Sequence, residues 1–321
     1  MLILAGLLGM MAFGSVMLYE TNTKDAESGE DAFDDIDSLQ IDDSTGDLLS
    51  FIDKDGDIQT LANETTEAAD LLIGTDGDDE IFGSLGNDKI MAGAGDDTVN
   101  GDSDDDILMG NEGNDALFGG EGSDALSGDQ GRDALSGGDG DDTLTGNADS
   151  DHLSGGNGAD NLMGGEGDDS LWGDAGDDTL VASAGNDFLI GGNGNDLLLA
   201  GTGNDVLDGR DDGEATVDYL NGGEGDDTLF ADAGDQVSGG DGADMTVLHS
   251  DISGPIQIWD FESGEDTLVV LYGSEDDVPE VSISQTPDEN GQWVVQSDGK
   301  TIALVSGTEP IMSDINLVHQ T

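Results

Sequence analysis

A nine-residue period that begins at Gly74 and runs without a slip to Asp208 constrains this chain more than anything else in it. Reading in nines gives GTDGDDEIF, GSLGNDKIM, AGAGDDTVN and GDSDDDILM, continuing through fifteen units. Position six is Asp in all fifteen, and position eight is Ile, Val or Leu in all fifteen. Position four is Gly except at Asp104 and Asp149, where the pattern predicts a strained or remodelled turn. Self-similarity at a short fixed period marks a solenoid, whose repeats bury their apolar faces only against one another.

Each place in the unit has a physical task. Gly at positions one, two and four is expected to reach positive φ, turn carbonyls inward and let successive turns approach closely. Positions seven to nine predict a short strand with the aliphatic residue at eight facing inward, stacked in parallel on its neighbours. With two units per coil, residues eighteen apart lie over one another, so Asp79 is predicted above Asp97 and Asp88 above Asp106. Stacked carboxylates repel unless a cation lies between them. Mixed carboxylate and carbonyl oxygens suit calcium, which accepts six to eight of them in flexible geometry, whereas magnesium demands a stricter octahedron.

Composition alone suggests a disordered acidic chain, with 53 Gly, 4% aromatic residues and a formal net charge of −69. Disorder has no reason to hold two residue phases through fifteen units. The charge makes nucleic acid and anionic membrane surfaces poor partners. There are no cysteines, so disulfides, thiol nucleophiles and zinc–thiolate sites are excluded.

Gly119-Gly120-Glu121-Gly122-Ser123-Asp124-Ala125-Leu126-Ser127 is a complete copy of the G-G-x-G-x-D-x-U-x nonapeptide, and on it the chain resembles the repeats-in-toxin (RTX), or hemolysin-type, calcium-binding family. The resemblance implies an all-β fold, a parallel β-roll, that folds around calcium outside cells, commonly after passage through type I secretion machinery. It implies calcium ligands at Asp79, Asp88, Asp97, Asp106, Asp115, Asp124, Asp133, Asp142, Asp151, Asp160, Asp169, Asp178, Asp187, Asp196 and Asp205. About a dozen ions would then be held, and their binding would be folding energy. After Asp208 the register breaks into a thirteen-residue unit at 209–221, a clean copy at 222–230, a short unit at 231–238 and a recovered copy at 239–247. Asp227 and Asp244 join the implied ligands, and Asp235 is left out because its unit lacks a residue.

The flanks differ in kind. Residues 2–19 are uncharged and apolar, long enough to span a bilayer, and read as a cleaved signal peptide or a membrane anchor. Residues 20–73 read as an acidic linker; within it Asp53, Asp55, Asp57 and Glu64 have EF-hand spacing, but Ile58 occupies the place of the required Gly. The array is taken as 74–247. Residues 248–321 hold all four Pro and β-rich runs, including a hairpin around Asp298-Gly299, and are expected to form a β-rich cap, with a candidate secretion signal at its end. The segment Ile258-Trp259-Asp260-Phe261 through Asp266 is similar to one that often follows RTX arrays.

No catalytic constellation is present. None of His152, His249 or His319 opens an H-E-x-x-H, and neither G-x-S-x-G nor a P-loop occurs. His152, at position seven of its unit, is expected to be an exposed strand residue. The reading is therefore a non-enzymatic, secreted or cell-surface calcium-binding protein with a structural or adhesive role and an unidentified surface or matrix partner. The alternatives are a secretion or folding module for another chain and the remnant of an RTX hydrolase.

Overall fold

The computed structural model describes residues 69–211, 216–273, 278–285 and 292–320, together with the main chain of an antiparallel strand pair, Met17–Tyr19 with Gln40–Asp42. Residues 2–16 and, apart from Gln40–Asp42, the acidic linker up to residue 68, with its EF-hand-like Asp53 to Glu64 stretch, lie outside them. The last residues of the linker, read from the sequence as 20–73, instead include the strand Leu71–Ile73. Among the described residues no helix is long and apolar enough to cross a membrane.

The repeats form a parallel solenoid within two sheets, one of twelve strands and one of fourteen that includes the C-terminal meander, with consecutive strands alternating between them from Leu71–Ile73 to Thr267–Tyr272. Partners within a sheet are offset by one coil of eighteen residues, as in Ala116, Ala134 and His152 or Leu117, Leu135 and Leu153. Parallel pairing starts at Leu71–Ile73, just ahead of the first full nonapeptide. It continues past the last copy through Thr267–Tyr272 to Ile315–His319 in one sheet and through Ile256–Phe261 to Lys300–Gly307 in the other.

Strands in the regular array are six residues long, not three, because they run from position seven through position three of the next unit, as in Thr98–Ser103. Positions eight and one face inward and are buried, which makes the core a row of aliphatic residues beside a row of Gly or Ala. Leu144, Leu153, Leu162, Leu171 and Leu180 are all fully buried. Leu162→Ala is expected to cost about 3 kcal/mol, the usual price of an internal cavity where rigid rungs cannot collapse. Denaturant unfolding in calcium checks this, and a loss under about 1 kcal/mol would mean that the sheets close over the gap.

The glycine expectation divides. Positions two and four do take positive φ, as at Gly93 and Gly95, and position two keeps it in non-glycine residues such as Asn111 and Asn147. Position-one glycines such as Gly101 do not. They are small for lack of room: a Cβ on Gly101 would stand 2.2 Å from Asp106 Oδ2. Asp104 and Asp149 do not remodel their turns, since each holds φ at 74° and the ladder passes through unchanged. Asp104 gains a compensating bond, its Oδ2 accepting from the Gly86 amide at 3.1 Å.

The C-terminal residues close the stack with an antiparallel meander of Val281–Gln285, Trp293–Ser297 and Lys300–Gly307. Its hairpin turns at Asp298 and Gly299, both at positive φ, as an Asp-Gly two-residue turn requires. Lys300 Nζ donates to the carbonyls of Asp251 and Ile252, and buried Asp314 accepts from the Ser263 hydroxyl at 2.7 Å. These bonds tie the meander and the last strand back onto the end of the solenoid.

Candidate metal-binding turns

The position-six aspartates are buried, each between 1% and 4% exposed from Asp79 to Asp205. From Asp88 onward one oxygen of each has a fixed task. Oδ1 accepts the main-chain amide of the position-six residue one coil earlier: Asp79 N donates to Asp97 at 2.7 Å, Asp88 N to Asp106 at 2.7 Å, and so on to Asp187 N and Asp205 at 2.7 Å. The eighteen-residue stacking is thus as the period predicts. The bond couples each turn to the next and places every carboxylate inside the solenoid wall.

The other oxygen is the informative one. Oδ2 of Asp88 and of every position-six aspartate from there to Asp205, and of Asp218, Asp227 and Asp244, is buried without a hydrogen-bond partner. A buried carboxylate oxygen left unpaired forfeits its hydration with nothing in return, at a cost of 1–3 kcal/mol or more. Burial accordingly pushes the Asp97, Asp106, Asp142, Asp151 and Asp178 carboxyls up to about 7, against the opposing pull of the amide each accepts. Neighbouring carboxylates add to the rise.

Three members of the ladder differ. Asp79 Oδ2 accepts from the Thr75 amide and hydroxyl at 2.7 and 2.9 Å, Asp235 Oδ2 from the Asp232 amide at 2.7 Å, and Asp266 Oδ2 from the Glu262 amide at 2.6 Å. These sit at or near the ends of the array, where the protein's own donors satisfy the carboxylate.

The unpaired oxygens fit a divalent cation. Most lie beside the inward-facing glycine of their own turn, and Cβ atoms on Gly110, Gly137 and Gly146 would all come within 2.2 Å of an Oδ2; in the units of Asp97, Asp187 and Asp205 the same place is taken by buried Ala92, Ala182 and Ala200. Among the described residues no three His, Asp or Glu side chains gather into a side-chain-only metal site. An ion in these turns would therefore draw most of its oxygens from the main chain, as the glycine-rich turns permit.

Sequence reasoning passed over two features. Asp70, Asp218 and Asp266 extend the ladder, donors Asp196 N and Asp244 N reaching Asp218 and Asp266 at 2.7 and 3.1 Å. Their signal is the three-residue core of the repeat, Asp-x-aliphatic, present in Asp70-Leu71-Leu72, Asp218-Tyr219-Leu220 and Asp266-Thr267-Leu268. The second feature is an outer ladder at position five that runs in the opposite direction. Asp96 accepts from the Asn114 amide one coil later at 2.9 Å, and Asp168 and Asp177 accept likewise from Asn186 and Asn195. Those main-chain and side-chain Asn donors hold the exposed Asp96, Asp168 and Asp177 carboxyls below their usual value, the reverse of the inner row.

A family model described as the RTX calcium-binding nonapeptide repeat (4 copies) matches residues 64–99, 100–135, 127–162, 136–171, 154–189, 172–207, 190–213 and 212–245, more than half of the chain. The chain belongs to the RTX calcium-binding repeat family. RTX repeats bind calcium in a β-roll, and the solenoid with its glycine turns and aspartate ladder is that architecture. No curated protein sequence matches the chain. Among solved structures it is similar to the extracellular lipase LipA from Serratia marcescens, at 16% identity and a TM-score of 0.18, over 79% of this chain and 41% of the lipase. The chain thus spans less than half of that lipase's length.

Proposed function

We propose that the RTX array binds a row of calcium ions through the inner carboxylates from Asp88 to Asp244, Asp235 excepted, and the carbonyls of the adjoining glycine turns. The observation that carries this reading is the row of buried, unpartnered Oδ2 atoms, unbroken from Asp88 to Asp227 and resumed at Asp244. Asp79 stands apart, because Thr75 already supplies its donors. Calcium bound there would neutralise stacked carboxylates and supply their missing partner, so that metal binding becomes folding free energy. The chain's own part is to present the oxygens: glycine keeps the space open, and the Oδ1–amide bond fixes each carboxylate's orientation.

Ions on the order of a dozen are expected, one for most stacked turns. A chain that folds only where calcium is millimolar is suited to work outside cells. We therefore assign it a secreted or cell-surface structural role, in which the rigid, strongly acidic solenoid displays or spaces other surfaces. A role as a folding module for another chain is distinguished by where the intact chain is recovered, on the cell surface or free in the medium.

Substituting the middle of the array tests the ligand assignment. Asp142→Asn together with Asp151→Asn keeps side-chain size and the Oδ1 acceptor but removes charge from the position-six carboxylates on both sides of the coil. Calcium bound at saturation, measured by equilibrium dialysis, is expected to fall, and the calcium midpoint of the β signal in circular dichroism to rise severalfold. Unchanged stoichiometry and midpoint would show that position six does not ligate.

A further inference from the structure

The two outer faces of the solenoid differ in charge. Ten strands of the fourteen-stranded sheet, from Leu71–Ile73 to Gln236–Asp241, present positions seven and nine outward, and none of these places holds Asp or Glu. Lys89 is the one charged residue among them, and Asp129 is the one acid at position two of the same strands. The equivalent places on the twelve-stranded sheet carry Glu80, Asp102, Asp174 and Asp208. A chain with 75 acidic residues and a net charge of −69 thus keeps one whole sheet face almost free of carboxylates.

The face is also apolar. Leu71, Ile73, Ile107 and Met163 lie on it, each at least 40% exposed. Its middle strands add small neutral residues, Ala125 and Ser127 beside Thr143 and Thr145. Acids return at the margin, where Glu112, Glu166 and Glu224 end their strands at the turns and are exposed. A charge-depleted centre inside a polar rim is the anatomy of a protein contact surface, and a broad exposed apolar patch marks one.

We infer that this face docks a second copy of the chain, sheet against sheet, to form a dimer. Charge and area choose the occupant. Another copy at −69 meets repulsion wherever acids face acids, and here two copies bring together no carboxylate at positions seven and nine. Ten strands about 4.8 Å apart and about 17 Å long present roughly 700 Å² per copy, so a pair buries on the order of 1,400 Å², within the roughly 1,200–2,000 Å² of a stable specific interface. Aligned sheets pack face to face about 10 Å apart, as in a sandwich. The same patch meets itself across a two-fold axis, so the contact closes at two copies rather than growing into a fibre.

The experiment is sedimentation equilibrium of the full chain in millimolar calcium, comparing the unaltered protein with Met163→Glu and with Phe118→Glu. Met163 lies at the middle of the proposed seam, whereas Phe118 is equally exposed on the other sheet. The unaltered chain is expected to sediment as a dimer, with Met163→Glu weakening association at least tenfold and Phe118→Glu leaving it unchanged. Should Met163→Glu lose the β signal, Thr145→Glu, its neighbour in register on the adjoining strand, takes its place with the same expected loss. Raising salt is expected to tighten the dimer severalfold, because salt screens the acidic rims and spares the neutral seam. A monomer at every concentration up to about 100 μM, too weak for an interface of this size, overturns the inference. So does a dimer indifferent to Met163→Glu, which puts the contact on another surface, or a dimer that salt dissolves, which means that charges hold the copies together.

Discussion

In chelator, the far-ultraviolet β signal of the full chain falls as the pH is raised from about 4 to about 8, and millimolar calcium abolishes that fall. The direction follows from the inner ladder. Burial raises these carboxyls from the ordinary 3.8 to about 6 at Asp133 and Asp187, about 7 at Asp106 and Asp151, and about 8 at Asp218. Between the unfolded and folded values the folded chain holds more protons than the unfolded one, so its stability is fully present below 3.8 and is lost as pH rises through 6 to 8. Without metal, neutral pH forces the ladder to choose between bearing buried charge and unfolding. Calcium replaces the protons, and its binding should release them to solvent. Circular dichroism across this pH range, with and without calcium, reads the effect directly. A metal-free chain that becomes more folded on going from pH 5 to pH 8 would show that these carboxylates are stabilised as anions by the protein alone.

Much of this was legible in the sequence because a nine-residue period carries its geometry with it. The invariant Asp at six and aliphatic residue at eight are enough to predict two sheets, an eighteen-residue coil and the stacking of Asp79 on Asp97. Two kinds of information were not legible. One is the difference between glycine needed for its φ and glycine needed for its size, since Gly101 and Gly95 look alike as letters but only Gly95 sits at positive φ. The other is hydrogen bonding of one carboxylate oxygen. Asp79 and Asp88 occupy the same place in their repeats, but Thr75, at position two of its unit, satisfies Asp79, while Asp88 Oδ2 has no partner. The irregular units hid Asp218 because the reading followed register; the local Asp-x-aliphatic triplet survives an insertion that register does not.

Gly176→Val is expected to destabilise the calcium-loaded chain by about 3 kcal/mol or more, whereas Gly120→Asn costs less than about 1 kcal/mol. Both glycines have positive φ, at 143° and 120°, so conformation alone does not separate them. The surroundings and the available compensation do. A Cβ at Gly176 would stand 1.6 Å from the Gly158 carbonyl oxygen, a main-chain atom that cannot move without displacing a neighbouring coil. A β-branched residue cannot relax there, and valine brings no polar atom to offset the strain as Asp104 does through its bond to the Gly86 amide. Position two already carries asparagine in this chain, at Asn111 and Asn147 with φ of 78° and 83°, and both strands keep their pairing. Gly120 need only shift φ toward those values to clear the Asp102 carbonyl. Denaturant unfolding of the two variants in saturating calcium measures the difference. Equal stabilities would mean that successive coils yield to a side chain at either turn position, and that the close approach of main chains at position four is not what holds the turns in register.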